Sequence, residues 1–190
     1  MRDIIVLNGK HQAGKTTLGT MLLERSNNFT FFPEIGGQLR HEVAYNSLES
    51  SEPFDREVMR RELARSQEIL QCPKIPVVET WHPGNIAYAE QRSPGMVPEY
   101  LARVENELEM FNPIPVIVDV TEPTFRARIT EHIHPDEVGK LAEFYQGIFQ
   151  STVGFYIRHK IQPLFVNGEL PVQQSLQNLI GMLELNGINI

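Results

Sequence analysis

Cysteine is almost absent from this chain: Cys72 is the single one among 190 residues. One thiol excludes an intramolecular disulfide and any cysteine-rich zinc site. No uninterrupted apolar run reaches membrane-spanning length, so a membrane protein is not expected. Basic charge is also scarce. Lys and Arg number 17 against 24 Asp and Glu, for a net charge of −7 and a pI near 5.4. That balance argues against a surface that coats nucleic acid, although a few basic side chains in one place still suffice for a phosphate site. Internal repeats, low-complexity tracts and linkers are missing too, so one domain spanning residues 1–190 is expected. The chain opens directly on a strand-like run rather than a targeting segment, which makes the cytoplasm the simplest location.

Against these absences stands one specific motif. Gly9-Lys10-His11-Gln12-Ala13-Gly14-Lys15-Thr16 matches the phosphate-binding pattern G-x-x-x-x-G-K-[ST] in full, and Thr17 follows it. The glycines let the backbone turn tightly and bring N–H groups to phosphate oxygens. Lys15 supplies a mobile positive charge for the β- and γ-phosphates, and Thr16 offers a hydroxyl to Mg²⁺. The context fits. Ile4, Ile5, Val6 and Leu7 read as a buried strand before the motif, and Leu18, Met21, Leu22 and Leu23 as a helical stripe after it. A helix N-terminus placed there favours anions. A nucleoside triphosphate with Mg²⁺ is therefore the expected ligand of this loop.

Strand and helix patterns alternate from end to end, predicting an α/β fold with a parallel sheet covered by helices. The clearest strands are Asp3–Leu7, Thr30–Pro33, Ile75–Glu79, Pro115–Val120 and Pro163–Val166. Helices are predicted at Gly14–Arg25, Gly37–Asn46, Asp55–Leu70, Pro98–Met110, Pro123–Thr130, Pro135–His159 and Val172–Leu185. Pro94–Pro98 and Asn112–Pro115 read as loops, and Asn46–Pro53 as a polar loop. The long helix at Pro135–His159 is either a homodimer surface or cover for the core.

Ligands of open parallel sheets bind beyond the C-terminal strand ends, so those positions supply the other candidates. Glu34, after the second strand, can take a proton from an acceptor hydroxyl; its bland alternative is a capping carboxylate. Glu79 ends the third strand and can organise Mg²⁺ opposite Thr16, or simply terminate the strand. Asp119 could take the metal role instead but reads better as a loop or helix-start residue. Trp81 can stack on a ring substrate or pack in the core, and His82 faces the same choice. Arg126 and Arg128 can neutralise charge on a transferring phosphoryl group, or lie on a solvated helix face. Arg40, Arg92 and Arg103 are more distant candidates for an acceptor anion. His132 and His134 form only a weak metal-ligand pair, and Asn167-Gly168-Glu169 is the expected base-side loop.

Three segments make the chain resemble the P-loop nucleoside and nucleotide kinases, nearest to the thymidylate kinases. They are Asn8 to Thr17, Phe32-Pro33-Glu34-Ile35-Gly36-Gly37, and Asn85-Ile86-Ala87-Tyr88-Ala89. The resemblance implies a three-layer fold with a five-stranded parallel sheet, ATP with Mg²⁺, and a small lid at about 126–140. It also implies γ-phosphoryl transfer to a small acceptor, a nucleoside or nucleoside monophosphate. Lys15 and Thr16 carry over directly, and Glu79 matches the acidic member of that family's Asp-Arg pair. Thr80 stands where the pair's arginine is expected, and Ile35 where some relatives place another; those arginines hold the acceptor's phosphate. Either Arg40 or Arg92 replaces them, or the acceptor carries no phosphate. A regulatory NTP-binding switch without an acceptor is the alternative class. The motif predicts that Lys15→Ala abolishes most phosphoryl transfer without unfolding the chain; near-normal turnover of the folded variant overturns the assignment.

Overall fold

The computed structural model describes residues 1–40, 42, 51–130 and 134–190. Its strands are β1 (Arg2–Gly9), β2 (Phe29–Phe32), β3 (Ile75–Glu79), β4 (Phe111–Asp119) and β5 (Leu164–Asn167). They form one five-stranded sheet in the order β2-β3-β1-β4-β5, parallel at every pairing. The helices are α1 (Lys15–Arg25), α2 (Ile35–Leu39), α3 (Glu52–Gln71), α4 (His82–Arg92), α5 (Val97–Met110), α6 (Glu122–Thr130), α7 (Pro135–Arg158) and α8 (Val172–Leu185).

Central β1 shows why the sheet is covered on both sides. Ile4, Ile5, Val6 and Leu7 are all inaccessible to solvent. Successive strand residues face opposite ways. Ile5 and Leu7 pack with Leu18 and Leu22 of α1 and Leu176, Leu179 and Leu183 of α8. Ile4 and Val6 pack with Ile69 of α3, Trp81 and Phe111. Around Ile117 of β4, residues of α3, α4, α5 and α7 extend that second layer. The three-layer α/β fold expected from the sequence is the fold observed. None of the helices among the described residues is long and apolar enough to cross a membrane.

Several boundaries differ from expectation, each for a local reason. Asn112–Pro115 is not a loop but part of β4. Pro113 and Pro115 pair with Ile4 and Val6 of β1, whereas the β5 ladder starts only at Val116. A proline can sit where one flank of a strand has no ladder partner. Helix α4 is absent from the predicted elements. It opens with Pro83 and Gly84, poor helix formers in general, but Pro83 lies in the first turn, where its missing N–H costs nothing. Pro94–Met96 forms a 3-10 turn. The helix predicted at Gly37–Asn46 appears as the shorter, earlier α2; 41 and 43–50, including most of the predicted polar loop, lie outside the described residues. So does 131–133, leaving the predicted lid described only where it ends α6 and opens α7.

After β3 the chain crosses β1 to reach β4, so the topological switch lies at the C-terminal ends of β1, β3 and β4. The turn out of β1 needs Gly9. Its φ is +140°, and a Cβ there would come within 2.2 Å of the Val118 carbonyl oxygen. We expect Gly9→Ala to lower the unfolding free energy by at least about 2 kcal/mol in urea titration, since strain and overlap add. An unchanged midpoint would show that β1 and β4 can separate at no cost.

Candidate functional site

The loop between β1 and α1 has the backbone of an anion cradle. Gln12 and Gly14 adopt left-handed conformations, φ 57° and 104°, and Ala13 N–H closes the turn onto the Lys10 carbonyl at 3.2 Å. Such sequences of turns gather N–H groups into a concave nest. No side chain caps the start of α1, so its first amides remain available to a ligand. A Cβ built on Gly14 would meet nothing within 4 Å, so the loop faces open space there.

The motif side chains are arranged around this cradle. Lys15 is buried and donates from Nζ to the carbonyls of Lys10 (3.0 Å) and Gly9 (3.3 Å). Thr16 Oγ1 lies 3.0 and 2.9 Å from the two carboxylate oxygens of Glu79. The sequence reading therefore paired residues that do meet. Burial is the main influence on the Glu79 carboxyl and pushes its pKa up; Lys15 opposes this, and the nearby charge of Glu34 adds to it. A hydroxyl and one buried carboxylate are hard oxygen donors suited to Mg²⁺, which commonly completes its shell with water and phosphate. Lys10 turns the other way. Its Nζ donates to Val120 O at 3.0 Å, lies 3.9 Å from Asp119, and packs over the rings of Phe125 and Phe149. Asp119 thus pairs with Lys10, while Glu79 meets Thr16. His11 stacks on Tyr145 of α7 with centroids 5.5 Å apart. Thr17 is exposed on α1.

A second feature adjoins the cradle. A small cavity, about 290 Å³ including its open mouth, is lined by residues among which are Glu34, Arg40, Asp55, Asn85, Tyr88 and Arg92. Three of the four expected substrate-binding residues, Glu34, Arg40 and Arg92, converge there. Glu34 precedes α2, and its carboxylate lies beside Gly36 and Gly37. Arg92 forms a buried ion pair with Asp55, whose other oxygen accepts from Ser93 Oγ at 2.8 Å. The guanidinium lies over the rings of Phe54 and Tyr88, at 5.5 and 5.0 Å. Burial raises the Asp55 pKa despite this partner. Asp55 and Asn85 were not expected as site residues. Asp55 resembled an ordinary helix-start carboxylate; Asn85 stood in a quoted family segment but carried no role.

Trp81, the fourth expected contact, corrects the sequence reading. It is 0% exposed, packs edge-on to Phe111 and donates to Ser66 Oγ at 3.4 Å. From the N-cap position of α4 the indole packs into the core beside Ile4, Val6, Ile69 and Val78. His82 is likewise a core residue between Ser66 Oγ (3.1 Å) and Tyr100 OH (3.2 Å). Burial pushes its pKa down to about 3, so the ring is neutral. Arg126 pairs with Glu122 on an exposed helix face, and Arg103 with Glu99. Arg128 does reach the cradle, but donates to the Gln12 and Gly168 carbonyls, both at 2.9 Å. It fastens the phosphate loop to the segment after β5. In that segment Glu169 accepts from Thr121 N at 3.0 Å and Gly168 N donates to Asp119 O at 2.7 Å. His134 is exposed and pairs with Asp136; His132 lies outside the described residues. No cluster of three or more His, Cys, Asp or Glu suited to a metal occurs among the described residues.

Sheet order, the loop after β1 and the flanking helices make up a three-layer α/β fold. Solved structures share it across almost their whole length. A deoxyadenosine kinase from M. mycoides, with products dCMP and a flexible dCDP bound, superposes with a TM-score of 0.65 at 14% identity, covering 97% of this chain and 99% of that one. The same enzyme with dATP gives 0.62 at 12% identity over 95% and 98%, and with dCTP 0.61 at 15% over 97% and 99%. At such identities the likeness is one of fold. No protein-family model and no curated protein sequence matches the chain.

The burial of Trp81 has a direct consequence. We expect Trp81→Phe to cost roughly 1–3 kcal/mol of stability by leaving a cavity in the core, while leaving affinity for any acceptor unchanged. A selective loss of acceptor affinity in the folded variant would return Trp81 to the site.

Proposed function

We propose that this protein is an ATP- and Mg²⁺-dependent phosphotransferase that phosphorylates a hydroxyl of a nucleoside. The observation that carries the proposal is the position of Glu34, which lines the cavity and also influences the Glu79 carboxyl beside the cradle. One carboxylate would thus stand between the phosphate loop and a small open cleft for the acceptor. The fold shared with nucleoside kinases supports the same reading.

Bound MgATP would supply the phosphoryl group and the counter-charge on its oxygens. The loop amides and the α1 N-terminus would hold the phosphates, and Lys15 would exchange its carbonyl partners for phosphate oxygens. Thr16 and Glu79 would hold the metal. Glu34 would take the proton of the acceptor hydroxyl as that oxygen bonds to the γ-phosphorus and the bond to the β-phosphate oxygen breaks, releasing ADP. This general-base help adds to a reaction driven chiefly by positioning and charge neutralisation.

A neutral acceptor fits better than a monophosphate. Thr80 replaces the arginine that would grip a phosphate, and Arg92 already bonds Asp55. Glu34 also assists a hydroxyl more than it would an already ionised oxygen.

Labelled ATP, Mg²⁺ and a panel of nucleosides and nucleoside monophosphates test the proposal. Label should pass to an unphosphorylated nucleoside, and Glu34→Gln should slow that transfer by roughly 10²–10⁴-fold with ATP binding retained. Labelling confined to monophosphates would overturn the neutral-acceptor reading. ATP binding with no acceptor-dependent ADP release would favour the switch module instead.

A further inference from the structure

Of the two carboxylates of the proposed site, Glu34 lies two residues beyond the end of β2 and Glu79 is the last residue of β3, and the ladder between those strands does not reach them. The β2–β3 pairing ends at Phe32 opposite Val78. Pro33 and Glu34 on one side, and Glu79 and Thr80 on the other, continue past the last ladder pair. Past the ladder the Pro33 and Thr80 carbonyls need another donor, and the relative position of the two chain ends needs another tie.

Both are supplied by one side chain absent from every motif in the sequence. Arg65 of α3 is buried, 7% exposed. Its Nη1 donates to Pro33 O at 2.6 Å, with Phe32 O at 3.4 Å. Its Nη2 donates to Thr80 O at 2.7 Å, with Glu79 O at 3.5 Å. Glu62 holds the guanidinium in place, accepting from Nε at 2.8 Å and Nη2 at 2.7 Å, and Glu62 also accepts from Asn85 Nδ2 at 2.7 Å. A planar five-donor fork can span two chain ends in this way; an ammonium cannot. Thr80 bonds into the clamp while held at φ +47°, an uncommon conformation for a threonine.

We infer that Arg65 is a positioning residue, whose guanidinium sets the spacing between Glu34 and Glu79 by tying the ends of β2 and β3 together. It touches neither carboxylate and has no part in the chemistry itself. Stability alone does not call for it, because a buried Arg–carboxylate pair often contributes no more than apolar residues of similar volume. The inference rests on the functional reading of Glu34 and Glu79 given above.

The test is Arg65→Lys, which keeps the charge and loses the fork. In the folded variant kcat for the labelled nucleoside should fall by about 100-fold, the scale of an ångström-level misplacement. KM for the acceptor and Kd for ATP without metal should change little, and half-maximal activation should require more Mg²⁺. Unchanged kcat, or a loss that only tracks the unfolded fraction, overturns the inference. If the wild type labels no acceptor, the functional reading fails by itself. The clamp is then judged by the gain in ATP affinity on adding Mg²⁺: a smaller gain in Arg65→Lys supports it, and an equal gain overturns it. Should Arg65→Lys fail to fold, Glu62→Gln, which leaves the fork but loosens its anchor, takes its place with the same readouts.

Discussion

Four successive residues of β1 have no access to water, and this constraint decides where the chain can place charge. Ile4 to Leu7 sit between two helical layers in the middle of the sheet. Polar chemistry is thereby confined to the strand ends, where the backbone leaves the ladder and its N–H and C=O groups need partners. The phosphate loop, Glu34 and Glu79 all occupy that boundary. Gly9 marks its sharpest point, because the chain must leave β1 while still touching β4.

Behind the boundary lies an unusual amount of buried charge. Glu62, Arg65, Asp55, Arg92 and Glu79 are nearly inaccessible. Burial raises the pKa of Asp55, Glu62 and Glu79 in each case, with arginine or lysine neighbours pulling the other way. Ion pairs so placed contribute little net stability, because desolvation offsets their attraction. They do restrict geometry: the Arg65 guanidinium bonds through Nε, Nη1 and Nη2, and a shift of one strand end would leave several groups unpaired.

Much of the fold was legible in the sequence because hydrophobic period and strand spacing are local signals. Val77-Val78 and Val116-Ile117-Val118 marked two strands that the structure contains, and α8 has the predicted ends. The phosphate loop was legible for the same reason: its residues are contiguous. Helix α4 was not, since Pro83 and Gly84 look the same in a loop and in a first helical turn. The cavity beside Glu34 was half-legible. Glu34 follows a strand visibly, but Asp55, Asn85 and Arg92 meet only through the packing of α3 on α4. Trp81 was misjudged because a strand-end position does not determine which way a side chain turns. Arg65 was invisible, being one of several arginines on α3; only the carbonyls it reaches distinguish it from Arg60 and Arg61, which pair with Glu57.

The ammonium of Lys15 already rests on two carbonyls of its own loop. A nucleotide arriving there would find no slack chain to gather and no exposed cation to strip of water. Its phosphates would replace one set of oxygen partners with another around a charge that has scarcely moved. Capture of this kind carries little ordering cost, so its selectivity lies in which anion offers the better oxygens rather than in which one can first fold the loop.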